Sequence, residues 1–160
     1  MFGEQQLLFE ESEETTYAID AKVESNIRLR IKIEETLIGL GYQPTEQAQP
    51  AKGTFLKDAP YTDMFNASRR AAFLIHHKRL GLARIEAHRQ QQSGSVDQKF
   101  PFFFQSLLNA EEPHLLIILD GNGYKQEAYQ WLTTAAEQEP SHRIEILAGI
   151  NEFTAWLSQT

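Results

Sequence analysis

The sequence predicts an α/β domain in which a mixed β-sheet is covered by helices on both faces. Three observations predict it. Two apolar runs, Ala71–His76 and Leu80–Ala87, are joined by the polar turn His77-Lys78-Arg79 and read as an antiparallel hairpin. His114–Leu119 is an unbroken apolar run of the kind found in parallel strands buried on both sides. Around it, helical and strand-like stretches alternate, the signature of a sheet with crossover helices.

Taken in order, residues 1–17 read as an acidic, weakly ordered arm, and 18–160 as one domain. Val23–Leu40 is predicted helical. Val23, Ile27, Ile31, Glu34 and Ile38 share one face, Ile33, Leu37 and Leu40 lie beside it, and Gly41 is a natural stop. The stretch NIRLRIKI also alternates with period two, so a strand is the competing reading; Glu34, Glu35 and Gly41 favour the helix. Residues 43–66, rich in Pro, Gln, Thr and Ala, read as a long connection. After the hairpin, Ser95 and Gln98 have capping-box spacing for a helix from Val96 to Ala110, and Pro101 inside it calls for a kink or a later start. Asp120-Gly121-Asn122-Gly123 turns the chain after the apolar strand. Tyr124–Gln138 is then predicted helical, Arg143–Leu147 a strand, and Asn151 the cap of a final helix ending near Gln159.

The 160 residues suffice for one core, and 41% apolar with 23% charged residues is ordinary globular composition. The absence of cysteine excludes disulfides and thiolate chemistry. Acidic residues stand where a signal peptide carries basic ones, and no apolar stretch approaches the roughly 18 residues of a membrane span, so a cytoplasmic protein is expected. Net charge is −7, yet it is unevenly placed. Residues 1–24 hold Glu4, Glu10, Glu11, Glu13, Glu14, Asp20 and Glu24 against Lys22 alone. Residues 69–89 hold Arg69, Arg70, Lys78, Arg79, Arg84 and Arg89 against Glu86 alone. Such a local cluster attracts phosphate whatever the total charge, because screening confines electrostatics to about 8–10 Å. A solvated charged face is the plainer reading of the same cluster.

The segment Arg69–Lys99 reads RRAAFLIHHKRLGLARIEAHRQQQSGSVDQK. It resembles the PD-(D/E)XK, restriction-endonuclease-like nucleases of bacterial or mobile-element type. In these a strand bearing Asp-Phe precedes a strand ending Glu-x-Lys, followed by Gln residues and a Gly-Ser-x-Asp-x-Lys helix start. The turn Leu119-Asp120-Gly121-Asn122-Gly123 has its counterpart there too, and the resemblance runs from Ile27 to Leu157. It implies a restriction-endonuclease-like mixed sheet and metal-dependent hydrolysis of DNA. Carboxylates on adjacent strands would hold Mg2+ or Mn2+ against the scissile phosphate, and a Lys on the same strand face would steady the attacking water.

Matched residue by residue, Glu86 takes the second carboxylate's place and Gln90 a polar position further along the strand. Ala72 stands where the first Asp belongs, and His88 where the Lys belongs. Glu34 or Glu35 in the first helix could supply a further acid, with Glu35 the second metal candidate. Loss of one carboxylate ligand removes on the order of several kcal/mol of charge stabilisation, roughly a thousandfold in rate. His for Lys is milder, since imidazole can donate a hydrogen bond or act as a base. Natural decay and deliberate inactivation of a toxic nuclease both place an alanine at position 72.

The resemblance therefore implies a magnesium-dependent DNA endonuclease impaired in this chain. The alternative is a degenerate nuclease kept as a DNA-binding or protein-assembly module; a third reading has His88 supporting activity. Arg69, Arg70, Lys78, Arg79, Arg84 and Arg89 are the candidate phosphate contacts, and relatives that cut as dimers admit a homodimer. Plainer readings stand beside these. Glu86 pairs with Arg84 or Arg89 on the surface; His76 and His77 face solvent; Phe100, Phe102, Phe103 and Phe104 pack the core; Gln90, Gln91 and Gln92 form a polar turn; and residues 120–123 are a tight turn, since they lack the glycine spacing of a nucleotide loop.

Overall fold

The computed structural model describes residues 24–91, 94 and 96–159. The acidic arm, Val23, Gln92 and the Ser95 capping box lie outside the described residues. The first helix, α1, spans 24–39. Its end is a Schellman motif around Gly41, whose φ of +89° is costly for any residue with a Cβ: Gly41 N–H bonds to Ile38 O at 3.0 Å and Tyr42 N–H to Leu37 O at 2.9 Å. The buried stripe is Leu29, Ile33 and Leu37, whereas Ile27, Ile31 and Ile38 are about half exposed. The expected face is thus reversed. Both stripes fit a period of 3.6, and only the contact with the sheet decides between them.

Residues 43–66 hold two strands, not the expected connection. β1 (Gln43–Pro44) pairs in parallel with β2 (Thr54–Thr62). β2 was illegible because Asp58, at φ +51°, and Pro60 interrupt it and only Phe55 and Ala59 of its nine residues are buried. It pairs antiparallel with β3 (Ser68–His77), which pairs antiparallel with β4 (Gly81–Arg89). β4, β5 (His114–Asp120) and β6 (Arg143–Ala148) then run parallel, giving one six-stranded mixed sheet in the order β1-β2-β3-β4-β5-β6. The hairpin and the two parallel strands stand as expected.

Helices cover both faces. Phe55, Phe73, Ile75, Ile85, Leu116 and Ile118 meet α1 and the last helix, α4 (Gly149–Leu157), through Leu29, Ile33, Leu37, Phe153 and Trp156. Leu115, Ile117 and Leu119 face α2 (Phe100–Leu107) and α3 (Gln126–Gln138) through Phe100, Phe103, Phe104, Leu107 and Leu132. Each such side chain, taken fully out of water, contributes about 1.5–3 kcal/mol before the entropy cost of ordering it. Pro101 delays α2: residues Asp97–Lys99 form a 3-10 turn, and the proline falls in the first turn of α2, where its missing N–H costs nothing. Asn151 lies inside α4 and is not its cap. The cap residue is Ala148, whose N–H donates to the Glu152 carboxylate.

Two polar groups expected at the surface are interior. His77 is 2% exposed: its Nδ1 accepts from Arg79 N–H and Leu80 N–H, both at 3.0 Å, so its Nε2 donates to Trp156 O at 3.1 Å. The imidazole is therefore the pin that closes the hairpin turn and ties it to α4, and burial lowers its pKa. His76 is half-buried, its Nδ1 2.9 Å from Pro50 O. Arg84, a candidate phosphate contact, is also buried. It grips Glu112 at 2.6 and 3.1 Å and donates to the Ala59 and Pro60 carbonyls. Burial works against the Glu112 carboxylate, but Arg84 outweighs it and holds the pKa below the ordinary value.

Candidate functional site

The site lies at one end of the sheet, where β2 and β4 finish and β3 begins. Pairing between β3 and β4 runs from His77↔Gly81 to Phe73↔Ile85, while β3 stays paired with β2 as far as Ser68. Past Phe73 the two hairpin strands therefore part, and the Glu86–Arg89 end of β4 stands open. Side chains alternate along β4, so Arg84, Glu86 and His88 share the face covered by α2.

Glu86 is 4% exposed, and its carboxylate is met by two hydrogen bonds and one longer ion pair. Tyr61 O–H, from the end of β2, donates to Oε1 at 3.2 Å; Arg69 Nε, from the start of β3, stands 3.8 Å from the same oxygen; His88 Nε2 lies 3.1 Å from Oε2. Burial, with the Glu86 charge next, raises the Tyr61 pKa, so the phenol remains a donor at all ordinary pH. His88 stacks on Phe103 of α2, centroids 4.2 Å apart and planes 13° from parallel. Arg69 lies over Phe102 at 4.9 Å and Phe103 at 5.2 Å, where the ring faces attract its charge. In front of these groups opens a cavity of about 570 Å³, lined by Asn26, Arg69, His88, Lys99, Phe102 and Phe103 together with Val96.

The candidates named from the sequence are sorted by this geometry. Glu86 and His88 meet. Ala72 is 3% exposed, one residue past the last position of β3 paired with β4, and it packs with the apolar cluster under α1 and α4. Gln90 is not free to serve the site: its Nε2 donates to Gly123 O at 2.9 Å and its Oε1 accepts from Val96 N–H at 3.2 Å. Glu35 is apart from Glu86, lining a second cavity with Lys32, Asp120 and Asn151, and Glu34 pairs with Lys57 at 3.2 Å. Of the cations, Arg69, Arg70 and Arg89 lie at the site end, Arg89 3.3 Å from Asp120. Lys78 and Arg79 lie at the opposite end of the hairpin, with Lys78 Nζ donating to Leu40 O at 3.1 Å.

Tyr61, Asn26 and Lys99 were not anticipated. Tyr61 belongs to the strand that the sequence conceals, and Asn26, whose Oδ1 accepts from Arg89 N–H at 3.0 Å, carries no local signal. Lys99 was in view, as the last residue of GSVDQK, without a role.

The mixed α/β sheet with this parted hairpin and a buried glutamate on it is the arrangement of a restriction-endonuclease-like fold. The chain belongs to it: the family model for the PD-(D/E)XK nuclease superfamily domain matches residues 12–160. Comparison with curated proteins and with solved structures finds no match. Among the described residues no helix is long and apolar enough to cross a membrane.

Nucleases of this superfamily typically use divalent metals, and the side chains present here fit one poorly. Among the described residues no three of His, Cys, Asp and Glu are grouped to hold an ion. Position 72 offers only a methyl group, and the carboxylate that remains already faces a guanidinium, which repels a second cation.

Proposed function

We propose that this chain is a nuclease-fold domain that has exchanged metal-dependent hydrolysis for non-catalytic binding of DNA. One observation carries the reading: the Glu86 carboxylate is satisfied from within the protein, by Tyr61, Arg69 and His88, at the place where the resemblance calls for Mg2+ or Mn2+. A buried carboxylate has to be neutralised by something. Here the Arg69 guanidinium and the hydrogen bonds from Tyr61 and His88 do this, so no ion is needed to complete the centre. Exposed Lys99 stands on the cavity beside Arg69, and cations at such a rim favour a phosphate backbone.

The reading predicts binding that is indifferent to chelators and steep in salt. Labelled DNA is expected to bind equally with magnesium, with manganese and with excess EDTA, and to weaken strongly between low and moderate ionic strength. Neither the chain nor Ala72→Asp is expected to nick plasmid DNA, because Arg69 remains against Glu86 in both. Magnesium-dependent cleavage by the unaltered chain, lost in Glu86→Gln, would restore the endonuclease reading.

A further inference from the structure

We infer that the rim of this cavity is a stacking platform for single-stranded nucleic acid, with Phe65, backed by Phe102, taking a base and Arg69 and Lys99 the backbone. The inference rests on the non-catalytic DNA-binding reading and names the form of DNA involved.

Phe65 is 72% exposed, the most exposed large apolar side chain among the described residues, and Met64 beside it is 44% exposed. A benzyl group so far out of the core contributes little to the fold. It is nonetheless held in place. Asp63, buried at the end of β2, accepts from Phe65 N–H at 2.9 Å and Ala67 N–H at 3.0 Å through one oxygen, and Asn66 takes φ +63° to close the turn. Asn109 Nδ2 fixes the Asp63 carbonyl at 2.6 Å, and Ser106 Oγ accepts from Met64 N–H at 3.3 Å, so the turn is also bolted to the far end of α2. The loop is built to present its tip.

Phe65 stacks on Phe102 with centroids 5.7 Å apart and planes 23° from parallel. Phe102 leads to Phe103, and Phe103 to His88, so aromatic rings run unbroken from the surface to the Glu86 centre. Arg69 lies over both inner rings, and exposed Lys99 stands on the same cavity. Exposed rings interleaved with cations are what an unpaired strand requires, since each base offers a face to stack and each linkage a charge. In a duplex those base faces are buried against one another. A protein partner would find the apolar rings but would gain nothing from the fixed cations beside them unless it were itself acidic.

The test measures anisotropy of a labelled thymidine oligonucleotide of about 15 nucleotides, with a duplex of equal length for comparison and with EDTA present. The single strand is expected to bind more tightly. Phe65→Ala is expected to weaken single-strand binding about tenfold or more while leaving the salt dependence unchanged, and Phe65→Trp to preserve it. Lys99→Gln should lower the salt slope by about 0.7. Phe65 is a surface residue, so thermal unfolding of Phe65→Ala should match the parent. Equal affinity for both strand forms together with an unchanged Phe65→Ala overturns the platform and leaves the DNA-binding reading in place. No binding to either form overturns both. Sedimentation showing self-association that Phe65→Ala abolishes overturns the platform in favour of a contact between copies of this chain.

Discussion

Two buried carboxylate clusters lie on one face of β4, only two residues apart, and they are built in opposite ways. Arg84 closes on Glu112 with two hydrogen bonds and spends its remaining donors on the Ala59 and Pro60 carbonyls. Arg69 approaches Glu86 no nearer than 3.8 Å, and its Nε is buried without a hydrogen-bond partner. The first pair is saturated and has nothing left for a ligand. In the second, the Glu86 carboxylate is met while Arg69 Nε has no partner, and the pair borders a cavity. The loose pair borders open space and marks the site, whereas the tight pair is closed on itself and marks the fold.

Breaking each cluster should show the difference. Arg84→Ala strands the buried Glu112 charge and two carbonyls and is expected to cost about 3–5 kcal/mol in urea unfolding. The double change Arg84→Met with Glu112→Leu should cost less than Arg84→Ala alone. A loss for Arg84→Ala below about 1 kcal/mol would show that the pair is no staple.

His77, at the far end of the hairpin, belongs with the tight cluster. His77→Ala leaves two turn amides without acceptors and is expected to cost about 2–3 kcal/mol. It carries a pH signature as well. Burial depresses its folded pKa, so the unfolded chain binds the proton more readily, and stability is complete above the unfolded value of about 6.5 and is lost as pH falls below it. His114, lowered by burial and then by Arg143, acts in the same direction. Melting temperature should therefore drop between pH 7 and pH 5, less steeply in His77→Ala; parallel profiles would contradict the assignment. Glu112, also depressed, adds a further loss only as pH falls through the carboxylate range.

The smallest effect is expected at the site itself. Glu86→Gln keeps an acceptor for Tyr61 and removes the charge facing Arg69 and His88, so stability should change by about 1 kcal/mol or less. Release of Arg69 should at the same time strengthen binding of DNA. Weaker binding in this variant would show that Glu86 organises Arg69 for the ligand rather than competing for it.

What could be read from the sequence follows from which interactions are local. The hairpin, β5, β6 and α3 show themselves because their apolar runs and turn residues lie within the segments themselves. β2 does not, since its pairing is forced by β3 and its own residues read as a loop: Pro60, a kinked Asp58 and few buried positions. Tyr61 vanished with it. The inverted face of α1 has a similar cause, as two apolar stripes compete and burial is decided by the sheet. Glu86 and His88 were found through the resemblance, whereas the burial of Arg84 depends on Glu112, 28 residues away. Gln90 fell on the expected strand face, yet both ends of its amide are bound to backbone, which no spacing rule discloses.

That amide has a consequence for the molecule's mechanics. Gln90 joins β4 to the end of β5 and its turn by three bonds, its N–H to Asp120 O, its carbonyl to Gly123 N–H and its Nε2 to Gly123 O, while its Oε1 takes Val96 N–H ahead of α2. Gly121, at φ +95°, lies so close that a Cβ there would sit 2.3 Å from the Gln90 carbonyl oxygen. The seam between the hairpin half and the parallel half is thus zipped at the level of the main chain, at the end that bears the site. Amides of this turn should exchange with solvent as slowly as those of the central strands, and the two halves should unfold as one unit. A ligand that pulls on the splayed hairpin end would load the whole sheet and not a loop.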